Sequence, residues 1–251
     1  MTKKKIYIDA GHGGDSIGAS YKGRFEQDDT LRLALAVGKL LSVQPGIEVK
    51  QSRTASVNPT IAARCNEANK WGADYFISIH RNAFKPEKAN GADVYVYSKV
   101  KVGGDTYNKA KCILNELCKA TSFKERAIHL GAPSYADFGV NRLTDMSSCL
   151  LEVGFVDSTV DNKIFDEEFE AMAQGIAKGL CAAVGEKYRP LGDLDGDGDV
   201  DSADARLALR YAVGLEQMNA DIAAIGDMDG DGKITSADAR EILRRAVGLE
   251  G

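Results

Sequence analysis

Two of the three histidines in this chain stand at the ends of short apolar runs, in the phrases IYIDAGHGG and YFISIHRNA. The runs at 6–10 and 75–79 have the length and composition of strands buried in a parallel sheet. His12 and His80 lie just past these runs. In open α/β sheets, ligands bind at the edge formed by the carboxyl ends of the strands. The pattern therefore predicts an open α/β sheet with both histidines at its ligand-binding edge.

The two histidines are candidate zinc ligands. A catalytic zinc site combines about three protein ligands with an open position for water, and neutral imidazole is a common ligand. Glu26, which opens a helical pattern, is the preferred third ligand, and His129 in a polar stretch is the alternative. A single histidine at a strand end often has only a structural role. A pair of them beside small, glycine-rich segments favours a metal site.

Strand-like and helix-like segments alternate along residues 1–187. The predicted strands are 5–10, 47–52, 75–80, 92–97 and 149–154. The predicted helices are 27–41, 58–71, 105–121 and 167–185. Alternation of this kind predicts an α/β domain, with a mostly parallel sheet flanked by helices on both faces.

Length and composition limit the class of protein. The 251 residues have room for one ordinary domain and a small one, and no apolar run is long enough to span a membrane. The five cysteines are odd in number and form no CxxC pair, which predicts buried free thiols and no disulfide scaffold. The basic start MTKKK lacks the apolar segment of a signal peptide. Either a signal was removed or export follows another route.

The C-terminal part of the chain is an internal repeat, in which residues 192–216 match residues 226–250 at an offset of 34. A short break that contains Pro190 precedes the repeat. Residues 192–251 carry a net charge of −8, whereas the residues before them carry +3. We therefore predict a linker at 188–191 and a second, small all-α domain of two loop–helix repeats at 192–251.

Each copy of the repeat contains a loop of 12 residues, with aspartates at alternate positions and glycine at position six. This spacing supplies the roughly six to eight oxygen ligands that calcium requires. The predicted ligands of a first calcium ion are Asp193, Asp195, Asp197, Asp204 and the carbonyl of Asp199. Those of a second calcium ion are Asp227, Asp229, Asp231, Asp238 and the carbonyl of Lys233. Without calcium, the density of carboxylates predicts disordered loops.

The duplicated loop–helix pattern resembles a dockerin, a calcium-dependent module that attaches an enzyme to a cohesin domain. Aspartate at position twelve and a break before the first loop distinguish the pattern from a standard EF-hand. The resemblance implies a cohesin-bearing partner, which the two similar copies would bind in either of two orientations. It places the contact surface at Ser202, Ala203, Arg210, Ser236, Ala237 and Arg244.

Several motifs of the first part occur in a known order and spacing. They are AGHGG at 10–14, the helix-opening Glu26, SRT at 52–54, AARCNEAN at 62–69, SIHRNA at 78–83 and LLEVGFVD at 150–157. Together they resemble the zinc-dependent N-acetylmuramoyl-L-alanine amidases of the amidase-3 family. The resemblance implies one zinc ion held by His12, Glu26 and His80, with Glu152 as the catalytic glutamate. It implies a peptidoglycan substrate, cleaved between the lactyl group and L-alanine.

Other polar residues near these motifs have less specific patterns. Arg81 either binds a carboxylate of the stem peptide or lies on the solvated rim, and the rim is favoured. Asn82 either hydrogen-bonds within the site, where it is a candidate for substrate binding, or has a plain turn role. His129 is predicted at the surface, and Arg53 and Arg64 are predicted to form structural ion pairs.

The leading hypothesis is a monomeric bacterial peptidoglycan amidase, extracellular or associated with the cell wall, that attaches to a cohesin-bearing partner. One alternative is a phage-type endolysin whose acidic domain serves stability or targeting. Another is a different zinc amidohydrolase or peptidase at the same site. A wall-binding protein without activity would lack a ligand or the glutamate, and none is missing. No nucleic-acid partner is predicted.

Overall fold

The structure is a computed structural model that describes residues 2–131 and 136–249. The chain divides into two compact units. Met1–Ser42 and Gly46–Glu186 form the first unit, and Val43–Pro45 and Lys187–Gly251 form the second. The α/β sheet belongs to the first unit and the duplicated loops to the second.

A mostly parallel sheet forms the centre of the first unit, as predicted. The described strands are β1 (Lys4–Ala10), β2 (Ser20–Tyr21), β3 (Arg24–Phe25), β4 (Ile47–Gln51), β5 (Tyr75–Asn82), β6 (Ala92–Val96), β7 (Glu125–Leu130) and β8 (Ser147–Phe155). β2 and β3 pair as a short antiparallel hairpin, and the others form the sheet in the order β4-β1-β5-β8-β6-β7. Neighbours in the sheet are parallel except β6 and β8. The sheet places the carboxyl ends of β1, β5 and β8 side by side.

Helices cover both faces of this sheet. They are α1 (Glu26–Ser42), α2 (Ile61–Trp71), α3 (Asp105–Ala120), α4 (Gly139–Arg142), α5 (Thr159–Glu167) and α6 (Phe169–Ala183). α2 and α4 pack over Tyr7, Phe76 and Leu150. Because side chains alternate along a strand, the neighbours of these residues face the other side, where α1 and α3 pack on the sheet and against α6. The layers enclose a core of aliphatic and aromatic side chains.

The short elements β2, β3, α4 and α5 were not predicted. Three further differences have a local cause. The helix predicted at 167–185 is interrupted at Glu168, whose φ of −112° and ψ of 25° separate α5 from α6. The helix predicted from residue 58 begins at Ile61, because the Thr60 side chain caps α2 by accepting from the Ala63 N–H. β7 was not predicted, since its segment ERAIHL is half-exposed or exposed throughout and begins with two charged residues.

The second unit contains the two predicted loop–helix repeats. Its helices are α7 (Ser202–Ala212), α8 (Ala220–Gly226) and α9 (Ser236–Ala246). α7 packs against α9 around a small core formed by Leu194, Ala205, Ala208, Ile225, Ile234, Ala239 and Ile242. α8 is an additional short helix that ends directly before the second loop, so only the first loop lacks a preceding helix among the described residues.

The cysteines and the helix lengths can be compared with what the composition predicts. All five cysteines are free, and Cys65, Cys149 and Cys181 are buried. Across residues 2–131 and 136–249, every helix is too short or too polar to cross a bilayer.

Candidate active site

Three potential metal ligands meet at the carboxyl edge of the sheet. His12 follows β1, Glu26 is the first residue of α1, and His80 lies within β5, which continues to Asn82 rather than ending before the histidine. Nε2 of His12 lies 3.1 Å from Oε2 of Glu26, and Nδ1 of His80 lies 2.9 Å from Oε1. One ligand atom from each residue lies within 4.8 Å of the others. We call these three residues the triad.

Neighbouring groups orient each member of the triad. Oγ of Ser16 lies 3.1 Å from Nδ1 of His12, which leaves the other ring nitrogen toward Glu26. The backbone N–H of Ala19 donates to Oε2 of Glu26 at 2.8 Å, and that of Arg81 donates to Oε1 at 3.0 Å. Hydrogen-bond partners of this kind fix the direction of metal-binding side chains.

Glu26 and the two histidines also shift one another's pKa values. Burial raises the pKa of Glu26, but its hydrogen bonds to His12 and His80 outweigh this effect and hold the pKa well below its ordinary value. Burial lowers the pKa of His80, and the hydrogen bond and charge of Glu26 raise it overall. The carboxylate is therefore ionised at neutral pH, which is the form that binds a cation.

Glycines make room for the triad. A Cβ at Gly18 would lie 2.5 Å from Oε2 of Glu26 and 2.7 Å from Cδ2 of His12. A Cβ at Gly11 would overlap the His80 imidazole. His12 itself has a φ of 61°, in the left-handed region that costs a non-glycine residue about 1–2 kcal/mol. This strained conformation therefore occurs at a residue that is a proposed metal ligand.

Substituting Gly11→Ala tests this steric argument. The new methyl group is expected to displace the His80 ring and to reduce the rate of substrate hydrolysis by about 100-fold, the effect of a misplacement of roughly 1 Å. The measurement is kcat/KM on purified peptidoglycan. Gly104→Ala is the matched control, because Gly104 also has an ordinary φ (−76°) and its added Cβ would meet only an exposed turn. Equal activity of both variants would contradict the argument.

Glu152 lies on the strand next to His80. β8 places it opposite His80 on β5 and opposite Asp93 on β6. Its side chain is 9 % exposed, and its Oε2 is buried without a hydrogen-bond partner among the described residues. Burial raises the pKa of Glu152 to about 8, although the His80 charge lowers it. A buried carboxylate oxygen with free hydrogen-bonding capacity, on the strand next to a candidate metal ligand, is suited to proton transfer.

Two buried arginines hold the segment that carries His12. Arg64 pairs with Asp9 at 2.6 Å and donates to the carbonyls of Ala10 and His12. The predicted structural ion pair is thus confirmed for Arg64, which does not engage Glu152. Arg53 has a different role from the one predicted, because it binds backbone carbonyls, including that of Ala10, instead of an acidic side chain.

The predictions for Arg81 were wrong. Its side chain lies neither on the rim nor in a position to bind substrate, because it is 1 % exposed and its guanidinium is enclosed. It pairs with Asp29 and donates to the Phe155 carbonyl and to Asn162. Burial lowers the pKa of Arg81 to about 10, so the side chain remains a cation at neutral pH.

The structure also places the two other polar residues. Oδ1 of Asn82 accepts from the Ala83 N–H at 2.8 Å, a local turn contact, and its predicted substrate contact stays a prediction. His129 lies on β7, two strands from Glu152, with Nε2 at 2.9 Å from Asp93. The His129 side chain is 35 % exposed. His129 is not part of the triad, whose third member is Glu26.

An open cleft lies beside the triad. Its volume is about 380 Å³, and its walls combine polar groups of the site with apolar side chains of α2, α4 and β8, among them Ile61, Val140 and Leu150. Phe138 completes the apolar wall. The cleft gives an extended ligand access to His12 and His80.

The two acidic loops of the second unit share one geometry. Asp193 accepts from the N–H groups of Gly196 and Gly198, and Asp227 in the same way from those of Gly230 and Gly232. At position twelve, Asp204 and Asp238 are buried and accept backbone N–H groups at the start of each loop. Carboxylate oxygens lie within 4.8 Å of one another for Asp193, Asp195 and Asp197, and for Asp227, Asp229 and Asp238. In each loop, three carboxylates are therefore close enough to one another to hold a metal ion.

The residues expected to contact a cohesin lie mainly at the surface. Ser202, Arg210, Ser236, Ala237 and Arg244 are exposed, and Ala203 is half-buried. Arg210 pairs with Glu216 at 2.6 Å, and Arg244 donates to the Leu249 carbonyl. These side chains are therefore accessible, although the two arginines already have partners within the chain.

An α/β sheet that carries two histidines, a buried glutamate and a second glutamate at its carboxyl edge is typical of metal-dependent hydrolases. Residues 6–182 match the profile of the N-acetylmuramoyl-L-alanine amidase family, and the chain belongs to this family. Residues 191–246 match the dockerin type I domain. The enzyme is thus a peptidoglycan hydrolase with a C-terminal dockerin module.

Individual relatives agree with this classification. The chain is 39% identical over 182 residues to the N-acetylmuramoyl-L-alanine amidase CwlM of Bacillus licheniformis, covering 71% of this chain and 68% of that protein. It is 36% identical to the sporulation-specific N-acetylmuramoyl-L-alanine amidase of Bacillus subtilis, covering 70% and 66%. The catalytic domain of the amidase CwlV from Bacillus (Paenibacillus) polymyxa superposes with a TM-score of 0.66 at 31% identity, covering 73% and 99%.

Proposed function

We propose that residues 1–187 form a zinc-dependent amidase domain that cleaves the bond between the lactyl group and L-alanine of peptidoglycan. The observation that carries this proposal is the convergence of His12, Glu26 and His80 beside Glu152, whose Oε2 is buried and has no hydrogen-bond partner within residues 2–131 and 136–249. Two imidazoles and one carboxylate are the donor set of several catalytic zinc sites. The glycines that clear space around this set fit a site built for an ion.

Zinc held by the triad would polarise the amide carbonyl and acidify the attacking water. His12, Glu26 and His80 would bind it while leaving one position open to the cleft. The hydrogen bonds of Ser16 and Ala19 would keep His12 and Glu26 in position during the reaction. The protein's contribution at this point is the orientation of the ligands.

Glu152 would transfer the proton. A zinc ion held by the triad would favour the ionised form of Glu152 over the neutral form that burial favours. The carboxylate would take a proton from the attacking water as the new bond from oxygen to the carbonyl carbon forms. It would then deliver that proton to the alanine nitrogen as the bond from carbon to nitrogen breaks. The products are a lactyl carboxylate on the glycan and a free amine on the stem peptide. The second proton of the water passes from the new carboxyl group to that amine, so the products contain every atom of the water molecule.

The second domain, residues 192–251 after a linker at 188–191, is proposed to bind two calcium ions and a cohesin. The proposal is supported by the match to the dockerin type I domain and by the backbone hydrogen bonds that the first aspartate of each acidic loop accepts from its two glycines. A cell-wall substrate and a cohesin partner both imply an extracellular or wall-associated protein. We propose that the enzyme acts as a monomer carried by its partner.

Mass spectrometry of digested peptidoglycan tests the proposed bond. The expected products are glycan chains with intact lactyl carboxylates and stem peptides with a free L-alanine amine. Cleavage within the stem peptide would point to a zinc peptidase, and release of acetate to a deacetylase. A cohesin-binding assay on the intact protein separates a partner-bound enzyme from a phage-type endolysin, which would show no cohesin binding.

A further inference from the structure

Arg81 is the largest fully buried side chain in the described ranges, and it follows His80 directly. Its backbone N–H donates to Oε1 of Glu26 at 3.0 Å. The same oxygen lies 2.9 Å from Nδ1 of His80. The main chain at Arg81 therefore joins two members of the triad, one from β5 and one from α1.

The guanidinium of Arg81 connects the same elements a second time. It pairs with Asp29, which lies three residues after Glu26 and thus on the same side of α1. It also donates to the Phe155 carbonyl at 3.2 Å and to Oδ1 of Asn162 at 2.8 Å. Phe155 ends β8, the strand that carries the proposed catalytic glutamate. One side chain thus connects β5, α1, β8 and α5.

The surroundings of Arg81 make this connection rigid. Its guanidinium carbon lies 4.3 Å from the centre of the Phe165 ring, and Phe165 is fully buried. Asp29 also accepts from Arg24 at 2.6 Å, and Arg24 binds the exposed Asp166 at 2.8 Å, so each arginine of this group has an acidic partner. Removal of Arg81 would leave Asp29 paired with Arg24. The loss would therefore fall on the connection between the elements, not on an isolated buried carboxylate.

We propose that Arg81 is a positioning residue for the triad. It holds His80 and Glu26 at the separation that a zinc ion requires. Arg81 touches neither the metal nor the substrate and acts through the two elements that it connects. This inference rests on the proposed zinc site. It adds a role for a residue that the catalytic chemistry does not use.

The dissociation constant for zinc tests the proposal directly, by competition with a chromogenic chelator at a temperature where far-UV circular dichroism shows folded protein. Arg81→Met keeps the bulk of the side chain but removes its donors. Zinc binding is expected to weaken by about 10–100-fold, as for other residues that orient metal ligands. Activity lost at limiting zinc should return as zinc is raised. Arg81→Lys keeps the charge without the planar fork and should show an intermediate loss.

A core variant separates positioning from general stability. Leu117 is fully buried on α3, away from the triad, and Leu117→Ala should lower the melting temperature without changing zinc affinity. If Arg81→Met does not fold, Asp29→Asn weakens the same contact and should give a smaller loss of affinity. If folded Arg81 and Asp29 variants bind zinc with wild-type affinity, the positioning role of Arg81 is overturned but the proposed zinc site is not. A wild-type protein that binds no zinc would overturn the metal site together with it.

Discussion

Glu152→Gln should abolish most of the hydrolysis of peptidoglycan while leaving zinc binding intact. The amide keeps the shape of the side chain but cannot accept the proton of the attacking water. Loss of a general base of this kind typically lowers kcat by about 10²–10⁴-fold. The measurement is kcat from the release of free L-alanine amines, combined with the zinc content of the same preparation.

The control for this variant is Glu48→Gln, which makes the same chemical change at an exposed position on β4 of the same sheet. It should keep wild-type kcat. Glu152→Gln with more than about a tenth of wild-type activity would contradict the assignment of Glu152 as general base. Loss of zinc together with activity would instead assign Glu152 a role in holding the triad.

Asp193→Ala combined with Asp227→Ala should unfold the second unit. Each aspartate begins a loop, accepts two backbone N–H groups from its glycines and is a proposed calcium ligand. Bound calcium at 100 times its dissociation constant adds about 2.7 kcal/mol of stability per site, which the variant would lose. Differential scanning calorimetry in calcium should show that the transition of residues 192–249 disappears.

The first unit supplies the internal reference for this experiment. Its calorimetric transition and its activity on soluble muropeptides should stay unchanged, because the triad and Glu152 lie wholly within residues 1–187. Asp199→Ala is the matched control, since Asp199 is exposed and its proposed ligand is the backbone carbonyl that alanine retains. Complete loss of amidase activity in the double variant would contradict an independent catalytic domain.

The triad could be predicted from the sequence because each member lies at or near the end of a recognisable element. His12 follows β1, His80 lies two residues before the end of β5, and Glu26 opens α1. Parallel strands bring their carboxyl ends to one edge, so local patterns were enough to place these residues together. The acidic loops were predictable for a similar reason, since all of their proposed ligands lie within 12 consecutive residues.

The position of Arg81 could not be predicted in this way. An arginine is almost never fully buried unless it is paired, so a residue beside a ligand is expected at the rim by default. Its partners Asp29, Phe155 and Asn162 come from three distant segments and meet only in the folded chain. β7 was missed for a related reason. It is an edge strand of the described sheet, with a half-exposed, charged sequence, and it pairs with β6. Whether such a segment forms a strand depends on its neighbours in the folded chain more than on its own sequence.

Titration of zinc into metal-free protein, with calcium held in excess, tests the central claim most directly. The rate of peptidoglycan hydrolysis should start near zero, rise linearly and reach a plateau at about one zinc per chain, the stoichiometry of a single three-ligand site. The variant His80→Ala should stay inactive across the same range. Full activity of the metal-free protein, or a response to zinc that survives the loss of His80, would contradict the proposed site.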